Sequence, residues 1–300
     1  MLNFSGELAA LSAAGLWAVA SVIYSRVGQQ IAPLELNLLK GAIAIILLLL
    51  TIVLSGDLLP ALTLNNYVLL LFSGMLGIGL GDSAFLTALN YLGARRALLM
   101  ETLAPPITAV LALLFLEEQL SFVAWCGIVI TILGVAWVLS ERVPKTSNHR
   151  STHLLHGIGF GMLAAIALAT GAVFSRAVLA TTSISSLWAA LLRLLGGLVI
   201  LVPWIGFRRR GTVRKAALTR KTIVAICLAS FAGTYLGIWL QQTAIKFTAA
   251  GIALTLTNTS PLFVLPIAVA LGEHISLRAI VGVGIAIAGI VILFYLQSPT

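Results

Sequence analysis

Four ionisable residues, Lys40, Asp82, Glu101 and Arg193, sit inside otherwise apolar stretches of this 300-residue chain. At the centre of a membrane-spanning helix a charge costs about 2.5–3.5 kcal/mol on insertion scales, so each is a candidate functional group. Glu101 stands four residues before Pro105, one helical turn away. A carboxyl in a low-dielectric cavity resists ionisation, which suits Glu101 to take up and release a coupling proton. The structural alternative is a permanent ion pair with Arg95, Arg96 or Lys40. Lys40 and Arg193 lie at similar depths in their runs, and their long stems would equally let them snorkel to headgroups. Asp82 follows Gly77-Ile-Gly-Leu-Gly81. No strand precedes this stretch and no Lys-Ser/Thr follows it, so it is not a phosphate loop. Its small-xxx-small spacing predicts close helix packing instead.

A second set of candidates surrounds two prolines. Pro105 and Pro261 lack the amide proton that a helix interior needs, so carbonyls near them are freed. Irregular backbone at membrane depth is tolerated where it lines a cavity. Beside Pro261 run Thr255, Thr257, Asn258, Thr259 and Ser260, polar groups that lipid would penalise. The bland alternative is a kinked helix whose hydroxyls bond back to its own carbonyls. Trp17, Trp239, Gln241 and Gln242 sit deep enough in their runs to line a pocket. His149, His153 and His156 have helical spacing, but no Cys or carboxylate accompanies them, so a solvated stretch is expected and no metal. Cys126 and Cys227 lie within apolar runs and read as small packing residues without a disulfide.

These groups need elements to hold them. The chain is 60% hydrophobic and 9% charged, with mean hydropathy +1.10. A soluble domain carries roughly 25% charged residues, so this is an integral membrane protein. Long apolar runs without strict alternation argue for helices and against a β-barrel. The net charge of +9 sits between the runs, which is membrane-protein placement and excludes a nucleic-acid reading. With about 20 residues needed per span, ten runs emerge. They are 6–26, 34–54, 67–90, 96–116, 122–140, 157–178, 186–206, 222–243, 249–271 and 277–296. The first lacks a basic leader and carries Trp17 and Tyr24, so it is read as a span that stays.

The chain repeats itself. "TLAPPITAVLALLFLEEQLS" from Thr102 returns as "NTSPLFVLPIAVALGEHIS" from Asn258. Pro105 matches Pro261 and Gly77-xxx-Gly81 matches Gly233-xxx-Gly237, 156 positions on. Glu118 matches Glu273, and Gly127 and Gly134 match Gly282 and Gly289, 155 on. Tyr24-Ser-Arg26 echoes Phe174-Ser-Arg176. The expected organisation is a five-helix unit over 1–140, a linker at 141–155 and a second unit over 156–300. Because five is odd, the second unit must thread the membrane the other way up. Charge tests this independently. Fourteen Lys and Arg fall in alternate connections, against Arg176 and Lys246 on the other side. The rich side, including 207–221, is cytoplasmic by the positive-inside rule, which places both termini outside.

Two five-helix units, each with a proline in its fourth helix and an L-x-E-x-[LI]-S ending ("LEEQLS", "LGEHIS"), resemble the drug/metabolite transporter superfamily, in particular its EamA-type ten-helix members. The resemblance implies a monomer or weak dimer in the inner (plasma) membrane, without cofactor. It implies alternating access for small metabolites such as amino acids or drug-like compounds, often as export. A proton or counter-substrate gradient would drive it, since no P-loop occurs. An inverted repeat places the substrate site near the midplane between halves. The expected lining is Trp17, Lys40, Asp82, Glu101, Pro105, Arg193, Trp239, Gln242, Thr257, Asn258, Ser260 and Pro261. An exchanger of phosphorylated metabolites or nucleotide-sugars, with Lys40 and Arg193 binding phosphate, is the alternative within this class. A membrane enzyme on lipid-linked substrates is the distant one, because its clustered catalytic groups are missing.

Overall fold

The structure is a computed structural model that describes residues 4–27, 31–56, 60, 62–92, 94–139, 151–208, 219–270 and 276–295. The described residues are helical, joined by short turns and extended links. In chain order the helices are α1 (Ser5–Val27), α2 (Pro33–Ser55), α3 (Leu64–Gly74), the π-helical segment π1 (Met75–Asp82), α4 (Ser83–Leu92), α5 (Ala94–Glu101), α6 (Ala104–Leu116) and α7 (Phe122–Leu139). The second half has α8 (Ser151–Thr181), α9 (Ser186–Arg208), α10 (Arg220–Ala229), π2 (Ser230–Leu236), α11 (Gly237–Phe247), α12 (Ala250–Thr257), α13 (Ser260–Ala270) and α14 (Leu277–Tyr295). Among the described residues, six helical rods are long and apolar enough to cross a membrane, and four shorter apolar helices accompany them. α8 starts at Ser151, inside the expected linker. Most of that linker, with His149, and the basic run 209–218 lie outside the described residues.

The expected fourth and ninth runs are each two helices. The breaks fall at Thr102–Leu103 and Asn258–Thr259, again 156 positions apart. Proline explains their position. Its missing N–H is harmless in the first turn of a helix, so Pro105 and Pro261 open α6 and α13 and the ladder fails just before them. The third and eighth rods carry π1 and π2 at matching places, around Gly77 and Gly233. A wider turn leaves carbonyls without their usual partners, and side chains from other helices take them.

Packing repeats the duplication. α8 lies along α3, π1 and α4, while α1 lies along α10, π2 and α11, so each unit's first helix packs on the other's third. Matching helices also pair directly. Gly127 faces Leu293, Gly134 faces Ala286 and Gly289 faces Thr131, so α7 and α14 run antiparallel. α2 and α9 do the same: Gly41 meets Leu198, and Leu34 clusters with Leu201 and Ile205. Alanines such as Ala10, Ala13, Ala14, Ala165 and Ala172 are buried where α1 and α8 run through the centre, letting backbones approach. Large apolar side chains point outward instead, among them Leu54, Phe115, Phe122 and Leu277. A membrane supplies the solvent for that surface.

Candidate functional site

Lys40 is held by α2, and Asp82 ends π1, where the wide turn aims it back at α2. Their Nζ and Oδ2 are 2.5 Å apart, with the side chains 14% and 31% exposed. Lys40 Nζ also lies 6.0 Å from the centre of the Tyr24 ring. Glu101 ends α5 at the helix break, within electrostatic reach of both Asp82 and Lys40. Arg193, from α9 of the other half, lies within electrostatic range of Asp82, with its Nη2 2.8 Å from where a Cβ on Gly77 would stand. It is 1% exposed, and neither Nε nor Nη1 has an acceptor among the described residues. All four ionisable residues singled out from sequence therefore share one neighbourhood, centred on Asp82. Neither a lone Glu101–Lys40 pair nor snorkelling of Arg193 describes it. The side chains of Arg95 and Arg96 lie outside the described residues.

The polar run at the second break behaves differently. Thr255, Thr257 and Thr259 donate to the carbonyls of Gly251, Leu254 and Leu256, at 2.7, 3.1 and 2.6 Å. Asn258 Nδ2 donates to Leu254 O at 3.0 Å. The three threonine hydroxyl protons thus satisfy carbonyls of their own helix, which leaves those hydroxyls to a ligand as acceptors. Ser260 and Asn258 are half-buried, while Pro105 and Pro261 are buried.

The half-buried Trp17 donates its indole N–H to Gly233 O, a π2 carbonyl, at 2.7 Å. Trp239 is half-buried, 6.2 Å from the Tyr235 ring, whose hydroxyl pairs with Thr51 Oγ1. Gln242 is fully buried: its Oε1 accepts from Ser175 Oγ, and its Nε2 has no partner among the described residues.

Three further groups escaped the sequence reading. Asn37 donates to Ile78 O in π1 at 3.0 Å and to Ser83 Oγ at 3.2 Å, the first half's counterpart of the Trp17 bond. A single amide in an apolar run carries no periodic signal. Glu7 is 1% exposed, with Oε1 accepting from Thr248 Oγ1 at 3.0 Å and Oε2 without a partner among the described residues. It lies at the edge of its run, where a carboxylate normally marks the start of a helix. The third is the partner of the L-x-E-x-[LI]-S glutamate. Glu117 ends α6 in the left-handed region (φ 56°, ψ 23°), and Glu118 then reaches Arg176 Nε of α8. Arg176 Nη1 also donates to Ile245 O and Lys246 O, at 2.7 and 2.8 Å, while Glu118 Oε2 accepts Ala250 N at 3.1 Å, capping α12. The clasp joins four rods, through α6, α8, α11 and α12. Its counterpart through Arg26 and Glu273 lies outside the described side chains.

Both clasp side chains are less than a fifth exposed, so losing one strands the other. Glu118→Ala and Arg176→Ala are each expected to lower stability in detergent by about 3 kcal/mol. The double variant should lose much less than the sum, as shared partners do. Additive losses in thermal unfolding would dissolve the clasp.

His156 packs its ring 6.3 Å from Tyr91; the side chain of His153 lies outside the described residues. Among the described residues no group of three or more His, Cys, Asp or Glu could hold a metal. Two grooves, of about 400 and 370 Å³, are apolar and are lined by residues other than the charged four.

Comparison with known proteins follows the same halves. The profile of the EamA-like transporter family matches residues 4–140 and again 155–295. A WAT1-related protein of Arabidopsis thaliana is 39% identical over 104 residues, 32% of this chain. The chain spans only 28% of that relative's length. One solved crystal structure superposes with a TM-score of 0.80, over 98% of this chain and 97% of its own, at 16% identity. That likeness is one of fold alone.

Proposed function

Because this chain belongs to the EamA-like transporter family through a match repeated over both halves, we propose that it is a ten-span, secondary-active carrier of small molecules working by alternating access. The membrane-transporter class comes with the family. The mechanism rests chiefly on one observation: charges from both halves converge where their helices cross, beside a π segment and a helix break. Lys40, Asp82 and Glu101 come from the first unit and Arg193 from the second. Antiparallel pairing of α7 with α14 and α2 with α9 supports an inverted repeat, since a two-fold axis along the membrane normal would pair equivalent helices in parallel. The breaks before Pro105 and Pro261 give each half a joint about which a short helix can turn. Glu101 beside such a joint is the coupling-proton candidate. A two-cation phosphate site is less favoured, because Lys40 already serves Asp82.

Counterflow in proteoliposomes tests the function. One class among amino acids, nucleosides and phosphorylated sugars should exchange saturably and faster than in protein-free vesicles. If correctly folded protein accelerates none of these classes, the carrier reading fails. Orientation has its own test, in a background with Cys126 and Cys227 replaced by Ala. A cysteine at Ser183, in the turn before α9, should react with an impermeant thiol reagent in intact cells. One at Lys221, at the start of α10, should not. Labelling of Lys221 from outside would reverse the assignment of both termini to the non-cytoplasmic side.

A further inference from the structure

Duplication lets each half be checked against the other. Lys40 is the eighth residue of α2, which begins at Pro33, and Arg193 is the eighth of α9, which begins at Ser186. Asp82 has its counterpart at Ile238, 156 positions on, the same spacing that relates the two prolines. In the first half the cation meets its anion, Lys40 on Asp82. In the second half the carboxylate position is filled by Ile238, which packs with Ala190, Leu191 and Leu194 beside Arg193. The second half has the cation and not the anion.

Arg193 cannot escape this by shedding its proton, because a guanidinium stays charged in proteins. Its donors on Nε and Nη1 are buried and unmet, although nearly all buried polar atoms in folded proteins find partners. Asp82 lies in its electrostatic reach but is bonded to Lys40. The four groups are two cations, Asp82 and Glu101. With Glu101 ionised they sum to zero; with Glu101 protonated they carry one positive charge, which one monoanion would neutralise.

We propose that Arg193 binds the carboxylate of a monoanionic substrate and that Glu101 takes one proton from solution for each carboxylate bound. Loaded and empty, the cluster then has the same net charge. A dianionic phosphate would leave a negative charge over, since Lys40 is occupied. The groups around Glu101 permit such an uptake. Asp82 and Lys40 face it electrostatically. Of the helices packed on α5, α4 carries Tyr91, α7 carries Cys126, and α8 carries His156 and, fifteen residues beyond the Gly161 that meets Met100, Arg176, which Glu118 holds. This assignment names the substrate class of the carrier site and so rests on the transport reading above.

The test is thermal unfolding of the purified full chain in detergent at pH 6 and pH 8. The probes are butyrate and benzoate, with butyramide and benzamide as uncharged controls, and inorganic phosphate. Both carboxylates should raise the midpoint and both amides should not. Linkage to one proton makes carboxylate binding tighter at pH 6, by up to about tenfold per pH unit. Glu101→Gln should bind carboxylate with no pH dependence. Ile238→Asp gives Arg193 the internal partner that Lys40 has, and should abolish the carboxylate effect in a folded protein. Arg193→Gln should do likewise.

Stabilisation by amides equal to that by carboxylates would overturn the proposal. So would carboxylate binding undiminished in Ile238→Asp, or pH dependence unchanged in Glu101→Gln. Stabilisation by phosphate alone would reassign the anion and overturn the carboxylate. Should neutral solutes show counterflow while no anion binds, the carrier reading survives and this inference does not. If nothing exchanges and nothing binds, both fall.

Discussion

Glu101→Gln is expected to reduce transport driven by a pH gradient to the level of protein-free vesicles while leaving solute counterflow at constant pH intact. The substitution preserves size and hydrogen-bonding capacity and removes only the ability to exchange a proton. Glu101 ends α5, where Thr102 and Leu103 interrupt the rod, so a change in its charge acts at a joint. It also faces Asp82 and Lys40, whose ion pair an added negative charge perturbs directly. A merely structural carboxyl would give a different pattern: lower yield and a lower unfolding midpoint, with the ratio of gradient-driven transport to counterflow unchanged. That unchanged ratio would remove Glu101 from the coupling step. Asp82→Asn makes a useful contrast, since it strands Lys40 and should impair both modes together.

The duplication was readable because proline, glycine and glutamate carry their constraints in single letters. Pro105 and Pro261 located the helix breaks to within three residues, the remaining offset arising because proline tolerates the start of the next helix. The charged residues were readable because lipid makes them costly. The π segments were not. Gly77 to Gly81 and Gly233 to Gly237 look like packing motifs, and apolar periodicity does not distinguish a wide turn from a normal one inside a uniformly apolar run. Trp17, expected to line a pocket, and Asn37, which the sequence did not single out, each answer a carbonyl in a π segment that sequence does not disclose. Near Pro261 sequence leaves both readings open, because Thr can satisfy its own helix as readily as a cavity, and three of them bond to their own helix. The isolation of Arg193 needed both sources. Sequence alignment of the halves pairs Asp82 with Ile238, and the structure supplies the two unmet nitrogens.

Gly74→Ala is expected to produce the largest loss of stability of any single methyl addition near the site. A Cβ built on Gly74 would lie 1.8 Å from the carbonyl oxygen of Arg193 and 2.6 Å from its Cα. The same contact is made in reverse by Gly196, whose Cβ would lie 2.0 Å from Leu71 O. Neither neighbour is a flexible side chain that could swing away; both are helix backbone, so α3 and α9 must separate. Overpacking a well-filled core typically costs 1–3 kcal/mol, and backbone against backbone belongs at or above about 3 kcal/mol. Gly284 on α14 is the control, since a Cβ there meets nothing within 4 Å. Gly284→Ala should be neutral or stabilising by about 0.5–1 kcal/mol through helix propensity alone. Both are read as unfolding midpoints in the same detergent, and equal stability of the two variants would refute the close α3–α9 contact. The functional consequence follows from which residue is touched. The carbonyl that meets Gly74 belongs to Arg193, whose Nη2 would lie 2.8 Å from a Cβ on Gly77. One close helix crossing therefore sets both the backbone of Arg193 and the depth of its guanidinium, and Gly74→Ala should weaken carboxylate binding even in the fraction of protein that still folds.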